Sequence, residues 1–253
     1  MKNSFGILIF VALATAALTF SACEEEQKGY KISGMLNDEI TLTKGVNSVK
    51  AAITTYGDLL ASAQIRGGAF TLVLPEMLNT NLLEPIKKTM SDIPATISIS
   101  DTTTRVATLT FFAYNANTPI GTLLNYKTVE TFDSVAKTSL LEFYKEDYIY
   151  SNKKVTIAGI DSTDFGLGLS FTIPTVYAIQ LNTGWNRIYS AFKIITDDSS
   201  LIATEFSIVN NVPLDGIVWQ LENEQNTGGD IEFMPHAFLP KQALQKVFRQ
   251  KTF

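Results

Sequence analysis

The chain has 253 residues, a formal net charge of −5 and one cysteine. This length is enough for one large domain or two smaller ones, and a single cysteine excludes any disulfide within the chain. The acidic balance argues against a surface that binds the phosphates of nucleic acid, and 45% hydrophobic residues argue against a disordered chain.

Residues 1–22 have the three parts of a secretory signal sequence. Lys2 supplies the positive start, residues 5–20 form an almost unbroken apolar run, and Ser21-Ala22 are the small residues that a signal peptidase requires. The run is shorter than the roughly 20 apolar residues that a permanent membrane span needs. The sequence therefore predicts a signal peptide over residues 1–22 that is removed before Cys23.

Cys23 is the only cysteine, and three glutamates follow it at residues 24–26. Phe20-Ser21-Ala22-Cys23 resembles the bacterial lipobox, with Phe20 where Leu is usual. The resemblance implies diacylglycerol on the Cys23 thiol and an acyl chain on the new α-amine, and several chains together make a stable anchor. The glutamates resemble the surface-export signal of Bacteroidota lipoproteins, which implies display on the outer face of the outer membrane. An ordinary signal peptide or an uncleaved anchor is the alternative.

Residues 23–29 are the predicted acidic tether, and from Tyr30 short alternating runs are separated by turn residues, which is typical of a sandwich or barrel. We predict a mostly β body of two consecutive antiparallel β-sandwich-like domains, with one short inserted helix and a short C-terminal helix. In the first domain the predicted strands are 30–34, 49–54, 60–65, 70–74, 95–99 and 105–114. The runs 60–65 and 70–74 flank Arg66-Gly67-Gly68, which predicts a hairpin.

Residues 79–90 form the predicted inserted helix. Leu82, Ile86 and Met90 recur every four residues and would share one helix face. Asn81 is a suitable N-cap residue, and Pro85 would lie in the first turn, where proline is tolerated.

Residues 115–119 separate two apolar regions with polar residues and a proline, and they are the best candidate for a domain boundary. They divide the body into domains 30–114 and 115–253. The predicted strands of the second domain are 140–150, 155–159, 169–173, 177–181, 185–195, 202–209 and 216–221, and residues 182–184 predict a hairpin. Pro240 would open the C-terminal helix, whose apolar face favours docking on its own domain over lying on a membrane.

Two stretches resemble known β proteins. Ile32-Ser33-Gly34 together with residues 63–75 resembles the transthyretin-like, carboxypeptidase-regulatory β-sandwich, in which a Gly turn precedes an aromatic strand that ends at proline. The predicted helix over residues 79–90 departs from that pattern. Residues 147–159 together with 181–186 look like a pattern of uncharacterised Bacteroidota lipoproteins. The second resemblance implies an exported β domain and no known activity.

The sequence offers no catalytic or metal-binding pattern. His236 is the only histidine, which excludes a pair of histidine ligands and argues against a catalytic triad. The glycines at 166–168 and 228–229 lack the strand and helix context of a phosphate loop. Acidic clusters at 161–164, 197–198 and 222–230 lack the spacing of an EF-hand. We therefore predict no catalytic residue, no metal and no cofactor.

Trp185 and Trp219 are the only tryptophans, and exposed rings of this kind stack on sugars. Aromatic residues on strands more often fill a core. The preferred hypothesis is a non-catalytic binding or adhesion module for a glycan or protein, with the membrane as a partner through Cys23 and without nucleic acid. A structural partner in an envelope complex and a carboxylate-dependent hydrolase are the alternatives.

Overall fold

The computed structural model describes residues 29–36, 44–53, 57–90, 96–163, 173–196, 201–210 and 218–221. Strands make up 72% of the interpretable residues, so the predicted mostly β fold is confirmed. The signal sequence, Cys23, residues 24–28 of the tether and the predicted C-terminal helix lie outside the described residues.

The described strands are numbered in chain order. They are β1 (Tyr30–Met35), β2 (Ser48–Ile53), β3 (Leu59–Gln64), β4 (Ala69–Leu74), β5 (Glu84–Pro85), β6 (Ser98–Ile99), β7 (Arg105–Asn115), β8 (Thr118–Asp133), β9 (Thr138–Ser151), β10 (Val155–Thr163), β11 (Ile173–Leu181), β12 (Gly184–Thr196), β13 (Leu201–Val209) and β14 (Val218–Leu221). Among the described residues, the helical elements are a 3₁₀ turn (Thr80–Leu82) and the helix α1 (Ile86–Thr89).

Two sheets are formed. β1 pairs with β4, and the remaining strands form a twelve-stranded sheet in the order β3-β2-β7-β8-β9-β12-β13-β11-β10-β6, with β14 on β8 and β5 on β7. β11 and β13 run parallel, so the predicted antiparallel pairing is wrong for this pair of strands.

The tight turn predicted at Gly67-Gly68 does form, with Arg66 and Ala69 bridged antiparallel, but the strand pairing predicted for both hairpins is wrong. β3 pairs with β2 and β4 pairs with β1, so the turn at Gly67-Gly68 passes from one sheet to the other. β13 lies between β11 and β12. At the second predicted hairpin turn, residues 182–184, the side chain of Asn186 bonds to both backbone groups of Asn182. It accepts the N–H at 2.7 Å and donates to the C=O at 2.8 Å. Backbone groups satisfied locally in this way are not available for a hairpin ladder.

The helix predicted over residues 79–90 is only four residues long. The 3₁₀ turn ends at Leu82, the chain is extended at Leu83, and β5 pairs with the start of β7 before α1 begins. Pro85 explains the break, because proline lacks an N–H and restricts the residue before it to extended conformations. Ile86 and Met90 are nevertheless buried, as expected for residues on one apolar helix face.

Alternation along the strands produces two hydrophobic cores on opposite faces of the large sheet. Core 1 lies between the β1–β4 pair and the large sheet and includes Ile32, Leu72, Phe111 and Trp219. Core 2 includes residues of β9 to β13 with Ile86 of α1. On β9, Tyr148 and Tyr150 pack in core 1, whereas Phe143 and Ile149 pack in core 2.

Candidate functional site

Trp219 lies in core 1 and is 2% exposed. The rings of Phe70 and Phe111 meet it edge to face, with centroids at 5.2 and 4.8 Å. Gly34 lies directly against the indole, since a Cβ at that position would be 2.2 Å from Trp219 Nε1. The ring presents no face to solvent, so stacking on a sugar is not proposed for Trp219.

Trp185 is half-buried at the edge of core 1. Its Nε1 donates a hydrogen bond to the Pro75 carbonyl at 2.8 Å. Its ring meets Tyr150 edge to face at 5.2 Å and lies 6.5 Å from the Tyr30 ring. The structure therefore does not bring the two tryptophans into one exposed groove: one is core, and the other belongs to an aromatic cluster near the start of β1.

Most of the other residues considered as catalytic or metal-binding candidates, or as the lipid attachment site, lie outside the described residues. Cys23, His236 and the acidic clusters at 197–198 and 222–230 are among them. Asp161 is described and accepts a hydrogen bond from the Thr96 hydroxyl at 3.2 Å. Within the described ranges, no three His, Cys, Asp or Glu side chains come together as a metal site requires.

A buried polar cluster, which was not predicted from the sequence, surrounds Glu146 on β9. Glu146 is 7% exposed and accepts hydrogen bonds from the Tyr148 hydroxyl and, at 3.1 Å, from the Asn125 amide. Arg187 on β12 approaches the same Glu146 oxygen at 3.6 Å and donates to the Tyr189 hydroxyl at 3.4 Å. The partners of one carboxylate oxygen thus come from β8, β9 and β12.

The strand pairing explains why these side chains meet. Up to Lys145, β9 pairs with β8, and from Ile149 onwards it pairs with β7. Residues 146–148 lie at this change of partner, which we call the strand junction. A carboxylate at the junction satisfies side-chain donors that a simple ladder of apolar residues would leave unpaired.

Burial determines the electrostatics of the junction. It raises the pKa of the Tyr148 hydroxyl, and the negative charge of Glu146 and the hydrogen bond to it raise that pKa further. Burial also raises the pKa of Tyr189. Both phenols are therefore neutral donors or acceptors at ordinary pH, and one oxygen of the Glu146 carboxylate is bonded to its neighbours.

A second carboxylate, Glu142, lies on the same face of β9. It accepts the Tyr144 hydroxyl at 3.0 Å and pairs with Lys193 at 3.2 Å. Burial, followed by the bond and charge of Glu142, raises the pKa of Tyr144 to about 12. Four residues of strand separate Glu142 from Glu146, or about 13 Å. Both glutamates are bonded to neighbouring side chains, which does not favour a role as a pair of catalytic carboxylates.

The β8–β9 hairpin ends in a turn, residues 132–137, that we call the hairpin tip. Asp133 Oδ1 accepts the backbone N–H groups of Val135 and Ala136 at 2.8 and 3.0 Å. These two bonds lower the pKa of Asp133. Phe132 is 61% exposed and Val135 is 92% exposed. The arrangement is a fixed turn that presents two apolar side chains to solvent.

None of the helices in the described ranges has the length and apolarity that a membrane crossing requires. Comparison of the chain with protein-family models, with curated protein sequences and with solved structures finds no match in any of the three.

Proposed function

We propose that the chain is a lipid-anchored binding module of the bacterial cell envelope that contacts a protein ligand through its hairpin tip. The observation that carries the choice of surface is the exposure of Phe132 and Val135 on a turn fixed by Asp133. Exposed apolar side chains that form a patch mark sites of protein interaction, and a turn held by hydrogen bonds loses little entropy on binding.

The anchor is supported by the sequence. The apolar run of residues 5–20, the small residues before Cys23 and the absence of any other cysteine agree with lipid attachment at this residue. Several acyl chains hold a protein on a membrane without a spanning helix. Display on the outer face follows from the resemblance of the three glutamates to an export signal.

A protein ligand is better supported than a glycan. Trp219 is in the core, and the indole N–H of Trp185 is already bonded to Pro75. A permanent assembly partner would bind the same hairpin tip. Its complex with this chain would differ from that of a transient ligand only in its lifetime. A hydrolase is less well supported, because Glu142 and Glu146 are engaged by neighbouring side chains.

The experiment places a photo-crosslinking amino acid at Val135 in cells that produce the full chain. Ile160 on β10, which is 68% exposed, is the matched control position. We expect one defined crosslinked species from position 135, absent from position 160 and lost when Phe132→Ser is added. Equal products from both positions, or none from either, would contradict the proposal. Intact-mass measurement of the mature protein tests lipid on Cys23 independently.

A further inference from the structure

We propose that the end of the body nearest the tether rests on the lipid surface, with Met77 and Trp185 at the headgroup layer and Lys154 facing anionic lipid. This inference rests on the anchor in the proposed function. It adds an orientation, in which the body lies against the bilayer by a defined surface, called here the tether end.

Several elements converge at the tether end. Tyr30 begins β1, and its ring lies 6.5 Å from that of Trp185. Pro75 bonds to Trp185, and Met77, two residues further along, is 80% exposed. The β9–β10 and β11–β12 turns end here as well, since Ser151 is opposite Gly184 and Val155 is opposite Leu181.

The chemistry of this end suits a lipid headgroup layer. Trp and Tyr are the side chains that favour the membrane–water interface. An exposed methionine beside them adds apolar surface, and lysines near a membrane are attracted to anionic lipid at about 1 kcal/mol each. Lys154 is exposed in the β9–β10 turn, next to Lys153, which pairs with Asp101.

The length of the tether supports the lipid surface as the occupant. Cys23 and Tyr30 are seven residues apart, a span of at most about 25 Å. The hairpin tip lies at the opposite end of β9, about 40 Å along the strand from Tyr150. The tether end therefore stays close to the bilayer, where even a weak contact is populated because the anchor keeps its effective concentration high.

The experiment compares the oxidation of two exposed methionines by hydrogen peroxide. Met77 is at the tether end, whereas Met35, 63% exposed, lies at the other end of β1 opposite Ala69 and serves as an internal control. The full lipidated protein is reconstituted in vesicles of phosphatidylcholine and phosphatidylglycerol. The reference is the unlipidated mature chain in solution, produced without residues 1–22 and with Cys23→Ser. We expect several-fold slower oxidation of Met77 on vesicles, with Met35 unchanged.

Tryptophan quenching gives a second measurement. Lipids brominated near the headgroup should quench part of the fluorescence of the vesicle-bound protein, and Trp185→Phe should abolish that quenching because Trp219 is buried. Equal Met77 rates on vesicles and in solution, with no quenching, would overturn the inference while leaving the anchor intact. If Met77 were protected from oxidation only in native envelope membranes and not on lipid vesicles, the lipid contact would be overturned in favour of a protein partner. A bare Cys23 thiol would remove the proposed anchor itself.

Discussion

At the residue scale, the strand junction shows how one carboxylate organises its surroundings. Glu146 is buried, and its acceptor oxygen is used by Tyr148, Asn125 and Arg187. A buried charge is tolerated only where donors and an opposite charge compensate for lost water. The sequence shows Glu146 among tyrosines at alternate positions of one strand, but Asn125 and Arg187 come from strands whose pairing the sequence did not reveal.

Tyr148→Phe should destabilise the fold by about 1–3 kcal/mol, because a buried carboxylate loses a donor. Tyr144→Phe is the matched control. Its hydroxyl also donates to a glutamate, Glu142, but that site is only half-buried, so the loss should be smaller. Urea unfolding of both variants gives the comparison. If both variants lost the same free energy of unfolding, burial of the Glu146 cluster would not explain the destabilisation by Tyr148→Phe.

Gly34→Ala should destabilise the fold by about 1–3 kcal/mol, because the added methyl group would overlap the indole of Trp219. Trp219→Phe should cost stability as well, since it leaves space in core 1. The double variant should lose less than the two single losses combined, because the smaller ring makes room for the methyl group. Simple additivity in denaturation measurements would contradict the contact.

At the element scale, β8 is the longest described strand, and it was not predicted from the sequence. Pro119 and the polar residues before it suggested a boundary. In the structure Asn115–Thr118 is the tight connection of the β7–β8 hairpin, and Pro119 lies at the start of β8, a position in a strand that proline tolerates. The residues beyond it alternate, but an isolated alternation without its partner strands is a weak signal.

The hairpin tip should loosen in acid. The pKa of Asp133 is lowered from its ordinary value of 3.8, so its bonds to the tip are present above that value and are lost as pH falls through the lower folded value. The amide shifts of Val135 and Ala136, followed by NMR, should titrate with a midpoint below 3.8. Asp133→Asn keeps an acceptor and should abolish the titration. A midpoint at or above 3.8 would contradict the role of Asp133.

At the scale of the whole molecule, core 1 draws on residues from both sides of the predicted boundary at 115–119. Ile32 and Phe111 precede it, whereas Leu123 and Trp219 follow it. β7 pairs with both β8 and β9, so the sheet runs through this point. The division into domains 30–114 and 115–253 remains a prediction.

Unfolding distinguishes one unit from two. Because core 1 and the sheet both cross residues 115–119, we expect one cooperative transition, with a calorimetric enthalpy equal to the van't Hoff enthalpy. Amide exchange should give similar global opening energies for β2 and β12, which lie in core 1 and core 2. Two resolved transitions, or much earlier opening of one of these strands, would establish separate domains.

The mostly β class and most strand positions could be predicted from the amino-acid sequence, because alternation of apolar and polar residues is a local property of each strand. Short contiguous motifs also predict a signal sequence and a lipid anchor at Cys23, and both stay predictions. The parallel β11–β13 pair, the break of the inserted helix, the burial of Trp219 and the strand junction became visible only in the folded chain. These depend on which strands become neighbours, and that choice is made by packing between residues far apart in the chain.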